Sequence, residues 1–222
     1  MTEATIFHPQ GGGQPSDVGT ISNDAGVNFE VLSARTDAVD PDQVLHCGSF
    51  TNSSSSPTIF QAGDSVTQVI DSEKRLLYSR YHTAGHVLGA SVRHLLESST
   101  PNFDELKANH FPSAAACEFR GLIDGKHKDS IQAKVDEYVA KDMPVEVDWW
   151  DAEDFKRNGV ARLIPEGPVP KEGKWRVVNI VGAEVYPCGG THVDSTLECG
   201  KTNVTKIKRQ KGTSRVSYNV AE

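Results

Sequence analysis

The stretch Tyr81-His-Thr-Ala-Gly-His-Val-Leu-Gly89 decides how this chain is organised. It places His82 and His86 four residues apart, in a segment whose apolar residues recur at helical spacing. Residues i and i+4 lie on one face of a helix, so both imidazoles can turn towards a single point. The stretch therefore predicts a helix that carries two potential metal ligands.

A second stretch, far downstream, supplies matching chemistry. In Pro187-Cys-Gly-Gly-Thr-His-Val193, Cys188 and His192 are again four residues apart, and the proline and glycines favour a tight loop. A histidine pair on a helix and a Cys/His pair on a loop form a donor set typical of zinc. Four protein ligands would close a structural site, whereas a catalytic site keeps one position open. The sequence leaves that choice undecided.

The bulk properties are those of a globular protein outside the membrane. The chain has 222 residues, which is enough for one large domain or two modest ones with a real core. No apolar run reaches the roughly 18–20 residues of a membrane helix. The N-terminal residues lack the pattern of a signal peptide. We therefore expect a cytoplasmic protein without membrane association.

The four cysteines are irregularly spaced, and a chain without an export signal is not expected to form a disulfide framework. Cys199 is an alternative metal ligand. Cys47 and Cys117 are expected to be small buried residues.

The net charge of −7 argues against a general affinity for nucleic acid. Basic residues nevertheless gather near the C-terminal end of the chain. One interpretation is a solvated strand face, and the other is a contact for a partner that presents phosphate in one place. This basic strip consists of Lys206, Lys208, Arg209, Lys211 and Arg215.

Residues 1–70 are predicted to form the first domain, a small β-barrel or curled antiparallel sheet. Short apolar runs alternate there with turn residues, and residues 53–57 are expected to form a loop. Near its start lies Phe7-His-Pro-Gln-Gly-Gly-Gly-Gln-Pro-Ser-Asp17, which we call the glycine motif. Its glycines allow the backbone to approach a ligand closely, or they simply form a tight loop.

Residues 71–222 mix helices with mostly antiparallel strands, so the fold class is α+β. The helix around the histidines is predicted to run from about Asp71 to Glu97 with one buried face. Gly85 and Gly89 cost helix stability, which predicts that they form a pocket wall beside the histidines. Thr83 stands where zinc peptidases of the His-Glu-x-x-His type have their glutamate base. If the site hydrolyses a substrate, an activated ester with a nearby hydroxyl fits better than a peptide.

Together with Asn109-His-Phe-Pro112 and Cys117-Glu-Phe119, these motifs resemble the AlaX family, free-standing proteins similar to the editing domain of alanyl-tRNA synthetase. The order of the motifs is the same, and the resemblance covers nearly the whole chain. It is to the medium-length type, in which a small glycine-motif β-barrel, here 1–70, precedes an α+β zinc-containing editing domain of the alanyl/threonyl-tRNA synthetase type, here 71–222. Relatives usually have one or two further strands before the glycine motif. Whether the barrel of this chain is complete is therefore left open by the sequence.

The resemblance implies a trans-editing hydrolase that deacylates alanine tRNA mischarged with serine, or with glycine, and that contains one Zn²⁺ ion. A monomer is favoured. The implied zinc ligands are His82, His86, Cys188 and His192. Thr83 and His110 are implied to line the amino-acid pocket as catalytic residues. Gly11, Gly12 and Gly13 fall in the glycine motif, which the family associates with the editing pocket or with the tRNA. The basic residues Lys206, Lys208, Arg209 and Lys211 are then expected to hold phosphates of the acceptor stem.

Two alternatives remain open on the sequence. One is a non-catalytic, zinc-stabilised RNA-binding module, and the other is a metallohydrolase of a different ester. The glycine at position 85 departs from many synthetase editing domains, which have a bulkier polar residue there. That departure leaves the selectivity of the pocket open.

Overall fold

The computed structural model describes residues 2–51, 59–167, 169–170 and 172–221. The chain divides into two compact units, Met1–Leu77 and Tyr78–Glu222. Antiparallel sheets and helices occur together, which confirms the α+β class. None of the helices in the described ranges combines the length and the apolar character that a membrane crossing requires. The loop predicted at 53–57 lies outside the described residues.

The first unit contains a four-stranded antiparallel sheet in the order β3-β2-β1-β4. Its core consists of Phe7, Ile21, Val31 and Ala34. The alternation of apolar and polar residues explains this arrangement, because successive side chains of a strand point to opposite faces. The strands are β1 (Gly19–Ser22), β2 (Asn28–Thr36), β3 (Val44–Phe50) and β4 (Thr67–Ile70).

The glycine motif forms a tight turn. The amide of Gln14 donates to the carbonyl of Gly11 at 2.8 Å, and the amide of Gly11 donates back at 3.3 Å. Gly12 and Gly13 have φ angles of 54° and 81°. Positive φ at both central residues is the geometry of a two-residue hairpin turn that strongly favours glycine. The turn accounts for these two glycines without a ligand.

Asp17, at the end of the glycine motif, is 1% exposed and is held by Arg75. Arg75 Nε donates to both carboxylate oxygens at 2.8 and 3.1 Å, and Nη2 donates to Asp17 and to the carbonyl of Ile6. The amide of His8 donates to the same carboxylate at 2.6 Å. This ion pair therefore fastens both ends of the motif inside the first unit.

We expect the variant Arg75→Met to lower the stability of the first unit by about 1–2 kcal/mol. Loss of one partner of a buried pair costs about 3–5 kcal/mol, but Arg75 is partly exposed and the amide of His8 still satisfies one oxygen. Hydrogen exchange of β1 and β2 amides would measure the loss. Arg35→Met is the control, because Arg35 is exposed on β2; equal protection in both variants would contradict the prediction.

The second unit contains most of helix α1 (Ser72–Leu96). The start is the predicted one, since the side chain of Asp71 accepts a hydrogen bond from the amide of Lys74 at 3.0 Å. The prediction of a single buried face was wrong, because every residue from 81 to 93 is buried. Strands and loops cover the helix on several sides, so α1 is the central element of this unit.

Two antiparallel sheets accompany α1 in the second unit, in the orders β10-β11-β6-β5 and β7-β8-β9. The hairpin predicted around Lys211 and Gly212 is present as β10 and β11. Strand β5 was not predicted, because its polar sequence carries no alternation. The remaining elements are β5 (Asp104–Asn109), β6 (Ala116–Arg120), α2 (Lys128–Ala140), β7 (Val145–Trp150), α3 (Ala152–Arg157), β8 (Trp175–Ile180), β9 (Glu184–Pro187), β10 (Thr202–Gln210) and β11 (Thr213–Val220).

Candidate metal centre

Helix α1 presents one polar face to the loop that follows β9. Ser79, His82, Thr83 and His86 lie on this face, since their spacings of three and four residues bring them into line. The hydroxyl groups of Ser79 and Thr191 are 2.7 Å apart, so a hydrogen bond joins the helix to the loop. This tether brings the second pair of predicted ligands towards the first.

His82, His86, Cys188 and His192 form one cluster, in which one ligand atom from each residue lies within 4.8 Å of the others. The sulfur of Cys188 is 3.3 Å from Nε2 of His82 and 3.5 Å from Nε2 of His192. Zinc in a tetrahedral site, with bonds of about 2.1 Å to nitrogen and 2.3 Å to sulfur, separates the two donors by about 3.5 Å. The cluster could hold a metal ion, and its donors and spacings fit zinc.

The protonation states in the cluster also suit a cation. Burial and the neighbouring His192 hold the pKa of His86 well below its ordinary value, so its ring is neutral. Its buried Nδ1 has no hydrogen-bond partner among the described residues. Burial raises the pKa of Cys188, while the amide of Gly190 and the guanidinium of Arg176 oppose this shift. A bound cation would favour the thiolate further, because metal ligands bind deprotonated.

Thr83 lies behind the cluster and has no exposed surface. Its Oγ1 is 3.0 Å from Nδ1 of His192 and accepts a hydrogen bond from the amide of Val193 at 3.2 Å. A histidine that binds a metal through Nε2 normally donates its other N–H to such a partner. Thr83 therefore orients His192. The sequence had suggested an amino-acid pocket for this residue.

We expect Thr83→Val to weaken metal binding about 10–100-fold, the usual cost of removing a hydrogen-bond partner from a ligand histidine. Valine preserves the shape of threonine but cannot accept the proton of His192. Competition with a chromophoric chelator would measure the affinity. Thr83→Ser retains the hydroxyl and should bind within a few-fold of the wild type; equal weakening in both variants would show that packing, not the hydrogen bond, matters.

Gly85 and Gly89 are packing positions, so the prediction of a pocket wall was wrong. A Cβ atom at Gly85 would lie 2.4 Å from Nδ1 and Cε1 of His110 and 2.6 Å from the hydroxyl of Tyr218. A Cβ at Gly89 would lie 2.6 Å from a carboxylate oxygen of Glu105 and 2.9 Å from the hydroxyl of Tyr186. Both glycines let neighbouring side chains approach the backbone of the helix.

His110 follows β5 and lies against the cluster. Its ring stacks on the ring of His82, with centroids 4.1 Å apart and an interplanar angle of 25°. Burial lowers the pKa of His110 to about 4, so the ring is neutral at pH 7. Its Nδ1 is 2.7 Å from the hydroxyl of Tyr218. Of the two residues implied to be catalytic, His110 adjoins the cluster on the ring face of a ligand.

Two residues beside the cluster were missed by sequence reasoning. Arg176 donates through Nη1 to the carbonyl of Cys188 at 2.5 Å, and the amide of Cys188 donates to the carbonyl of Arg176 at 3.1 Å. The ring of Tyr186 lies 4.3 Å from that of His86, and its hydroxyl donates to the carbonyl of His86 at 3.1 Å. Tyr186 lies on β9, directly before the loop, and Arg176 lies on β8, the strand paired with β9. This proximity to the loop was the available signal.

The basic strip lies in the second unit and the glycine motif in the first. Lys206, Lys208 and Lys211 are exposed and have no ion-pair partner within the described ranges. Arg209 pairs with Asp124 at 3.4 Å. Arg215 pairs with Glu118 at 2.9 Å, so it is partly neutralised. The three lysines therefore offer the free positive charge of the strip.

The four cysteines are free, as expected for a chain without a disulfide framework. Cys199 lies outside the cluster, and burial raises its pKa to about 12, which disfavours it as an alternative ligand. Cys117 is buried as predicted, and its thiol donates to the carbonyl of Gly85 at 3.4 Å. Cys47 is exposed, so the prediction that it is buried was wrong.

Comparison with known proteins gives a consistent result. Residues 175–217 match the model of the threonyl and alanyl tRNA synthetase second additional domain. The chain is 32% identical over 219 residues to alanine–tRNA ligase of Methanosphaera stadtmanae, covering 98% of this chain and 24% of the ligase. It is 29% identical over 219 residues to alanyl-tRNA editing protein AlaX-L of Pyrococcus horikoshii, covering 98% of this chain and 50% of that protein.

The chain thus spans between about a quarter and a half of the length of these curated relatives. The similarity extends through both units and includes the helix and the loop that form the metal cluster. The chain is therefore similar over nearly its whole length to the alanyl-tRNA editing protein AlaX-L and to alanine–tRNA ligases, and its residues 175–217 match the second additional domain of threonyl and alanyl tRNA synthetases.

Proposed function

We propose that this protein is a trans-editing hydrolase that cleaves the ester between alanine tRNA and a wrongly attached serine or glycine. The observation that carries the proposal is the cluster of His82, His86, Cys188 and His192, in a chain that resembles an alanyl-tRNA editing protein over 98% of its length. The relevant reaction class is hydrolysis of a carboxylic ester. The proposed cofactor is one Zn²⁺ ion.

The residues of the chain have separable roles in this proposal. The four ligands hold the ion, Thr83 orients His192, and Arg176 fixes the loop that carries Cys188. When bound, zinc supplies a Lewis acid that can polarise an ester carbonyl or a water molecule. His110, neutral and adjacent to His82, offers a hydrogen-bonding group to the aminoacyl end.

The groups available for proton transfer favour an aminoacyl ester over a peptide as the substrate. No glutamate occupies the position after His82, and a His110 ring with a pKa of about 4 is a weak base. Cleavage of a peptide bond requires proton transfer to the leaving amine. The leaving group of an ester is an alcohol, which depends less on such a proton transfer. A hydroxyl at the end of the tRNA could assist, because it lies next to the ester that is cleaved.

The need for such an enzyme follows from the limits of molecular recognition. A pocket built for alanine cannot strongly exclude glycine or serine, because one methyl or hydroxyl group changes selectivity only about 10–200-fold. A second site that hydrogen-bonds a hydroxyl can reject alanine far more strongly, since its polar groups would be left unpaired. We expect serine to be the preferred residue on the tRNA.

The test is incubation of the protein with Ser-tRNA(Ala), Gly-tRNA(Ala) and Ala-tRNA(Ala). The expected result is rapid loss of the serine ester, slower loss of the glycine ester and survival of the alanine ester. Equal stability of all three with and without protein would contradict editing. If the protein nevertheless binds the tRNA and loses its fold without zinc, the RNA-binding module is the better account. Hydrolysis of small esters alone would favour a different metallohydrolase.

The basic strip leads to a separate prediction about tRNA affinity. We expect the double variant Lys206→Gln/Lys208→Gln to weaken tRNA binding and to reduce the salt dependence of log K by about one unit for each phosphate that is no longer neutralised. Filter binding at several salt concentrations would measure both. The control Lys141→Gln/Lys174→Gln makes the same change in net charge at exposed positions outside the strip. An equal effect of the control would show that net charge, not the position of the lysines, determines tRNA affinity.

A further inference from the structure

The hydroxyl of Tyr218 reveals which nitrogen of His110 carries a proton. Tyr218 donates to the carbonyl of Tyr81 at 2.8 Å, and a carbonyl has no proton to give. The single phenolic proton is therefore committed to Tyr81. Nδ1 of His110 lies 2.7 Å from the same hydroxyl, so in this contact the ring nitrogen must be the donor.

A neutral imidazole has one donor and one acceptor nitrogen. His110 is 2% exposed, and such burial disfavours the charged ring. With the proton on Nδ1, the second nitrogen Nε2 is a hydrogen-bond acceptor. No hydrogen bond joins Nε2 to another atom in the part of the chain that the structure describes.

The surrounding structure leaves this arrangement little freedom. The hydroxyl of Tyr218 is buried between β11 and α1. Because Gly85 has no side chain, the hydrogen bond between Tyr218 and His110 fits against the backbone of α1. The ring of His110 stacks on His82, which fixes the plane of the ring next to the metal cluster. Position, tautomer and orientation of His110 are therefore set by three separate contacts.

We propose that Tyr218 is a positioning residue that holds His110 as the Nδ1–H tautomer, so that Nε2 accepts a hydrogen bond from the hydroxyl of a misattached serine. The inference deepens the proposed editing function and rests on it. It assigns discrimination between serine and glycine esters to a buried tyrosine on β11 that contacts no substrate. Glycine has no hydroxyl to donate, so its ester gains nothing from this acceptor.

The first measurement is the tautomer itself, read by long-range ¹H–¹⁵N correlation on zinc-loaded protein labelled with ¹⁵N-histidine. We expect a protonated Nδ1 and an unprotonated Nε2 for His110, assigned by comparison with His110→Gln. In Tyr218→Phe the acceptor for Nδ1–H is gone, and we expect the proton to move to Nε2. The control Tyr81→Phe removes a buried hydroxyl from the same region, where it makes only a 3.4 Å contact with Val220, and should leave the tautomer unchanged.

The second measurement compares two substrates with the same variants. We expect Tyr218→Phe to lower kcat/KM for Ser-tRNA(Ala) about 10–100-fold, the effect of removing one buried hydrogen bond, and to change the value for Gly-tRNA(Ala) much less. Zinc content should stay close to that of the wild type, and the protein should remain folded at the assay temperature although it loses two buried hydrogen bonds. Tyr81→Phe should preserve the ratio between the two substrates.

The outcomes separate the role of Tyr218 from the editing activity. A proton on Nε2 in the wild type, or an unchanged tautomer in Tyr218→Phe, overturns the role of Tyr218 even if the protein edits serine. Equal losses for serine and glycine esters would reduce Tyr218 to a structural residue. If the wild type hydrolyses neither ester, the proposed function fails, and the role of His110 in serine recognition fails with it. The ¹H–¹⁵N spectrum would still determine the tautomer of His110 independently.

Discussion

Replacing Cys188 with alanine is expected to abolish stoichiometric zinc binding and ester hydrolysis together. Cys188 contacts both His82 and His192, so its removal leaves three imidazoles around a gap in the cluster. Wild-type protein should retain about one zinc per chain through dialysis, whereas the variant should retain less than about a tenth of that amount, since it has lost one of the four proposed ligands.

The same substitution should change stability in a metal-dependent way. A ligand present at 100 times its Kd stabilises the folded state by about 2.7 kcal/mol, and that contribution disappears when the ligand no longer binds. A strong chelator should therefore lower the melting temperature of the wild type and have little effect on Cys188→Ala. Metal analysis and thermal unfolding, with and without chelator, would measure both quantities.

Cys47→Ala is the matched control, because Cys47 is a free, exposed cysteine in the first unit. It should keep its zinc, its response to chelator and its activity. Full zinc retention in Cys188→Ala would remove Cys188 from the ligand set. Zinc loss without loss of hydrolysis would instead show that the metal is structural.

Gly85→Ala is expected to destabilise the second unit by about 1–2 kcal/mol, after the better helix propensity of alanine is subtracted. The propensity gain is about 1 kcal/mol, but the new methyl group would overlap ring atoms of His110 and the hydroxyl of Tyr218, and overpacking of a rigid core costs about 1–3 kcal/mol or more. Both side chains are buried, so neither can move away freely.

Gly85→Ala should also lower the rate of hydrolysis by more than its loss of stability explains. Displacement of His110 breaks its hydrogen bond with Tyr218 and its stacking on His82, so hydrolysis of the serine ester should fall at temperatures where the protein is still folded. Denaturant unfolding and deacylation assays would measure the two effects. Gly125→Ala serves as the control, because a Cβ there meets nothing within 4 Å. A stable, fully active Gly85→Ala would refute the packing role.

Much of the cluster was accessible from sequence because its information is local. Two histidines at i and i+4 lie on one face of any helix, and a proline followed by glycines predicts a tight loop. The helix start at Asp71 and the hairpin at Lys211 likewise depend on capping and turn chemistry within a few residues. These predictions agree with α1, β10 and β11.

The misread glycines show where local information ends. A glycine in a helix indicates that a side chain is unwanted, but it does not say whether a ligand or another part of the protein fills the space. At Gly85 the neighbours are His110 and Tyr218, which lie 25 and 133 residues further along the chain. The paired β5 strand was missed for the same reason, since its partner β6 and not its polar sequence defines it.

The sequence by itself determined the donor set, the helical spacing of His82 and His86 and the α+β class, since these depend on residue chemistry and short-range periodicity. Only the tertiary structure decided that Thr83 lies against His192, that Arg176 holds the Cys188 loop and that the hydroxyl of Tyr218 lies against Nδ1 of His110. Each of these contacts joins different elements of the fold. No spacing rule along the chain specifies such contacts, because they exist only after the elements have packed around α1.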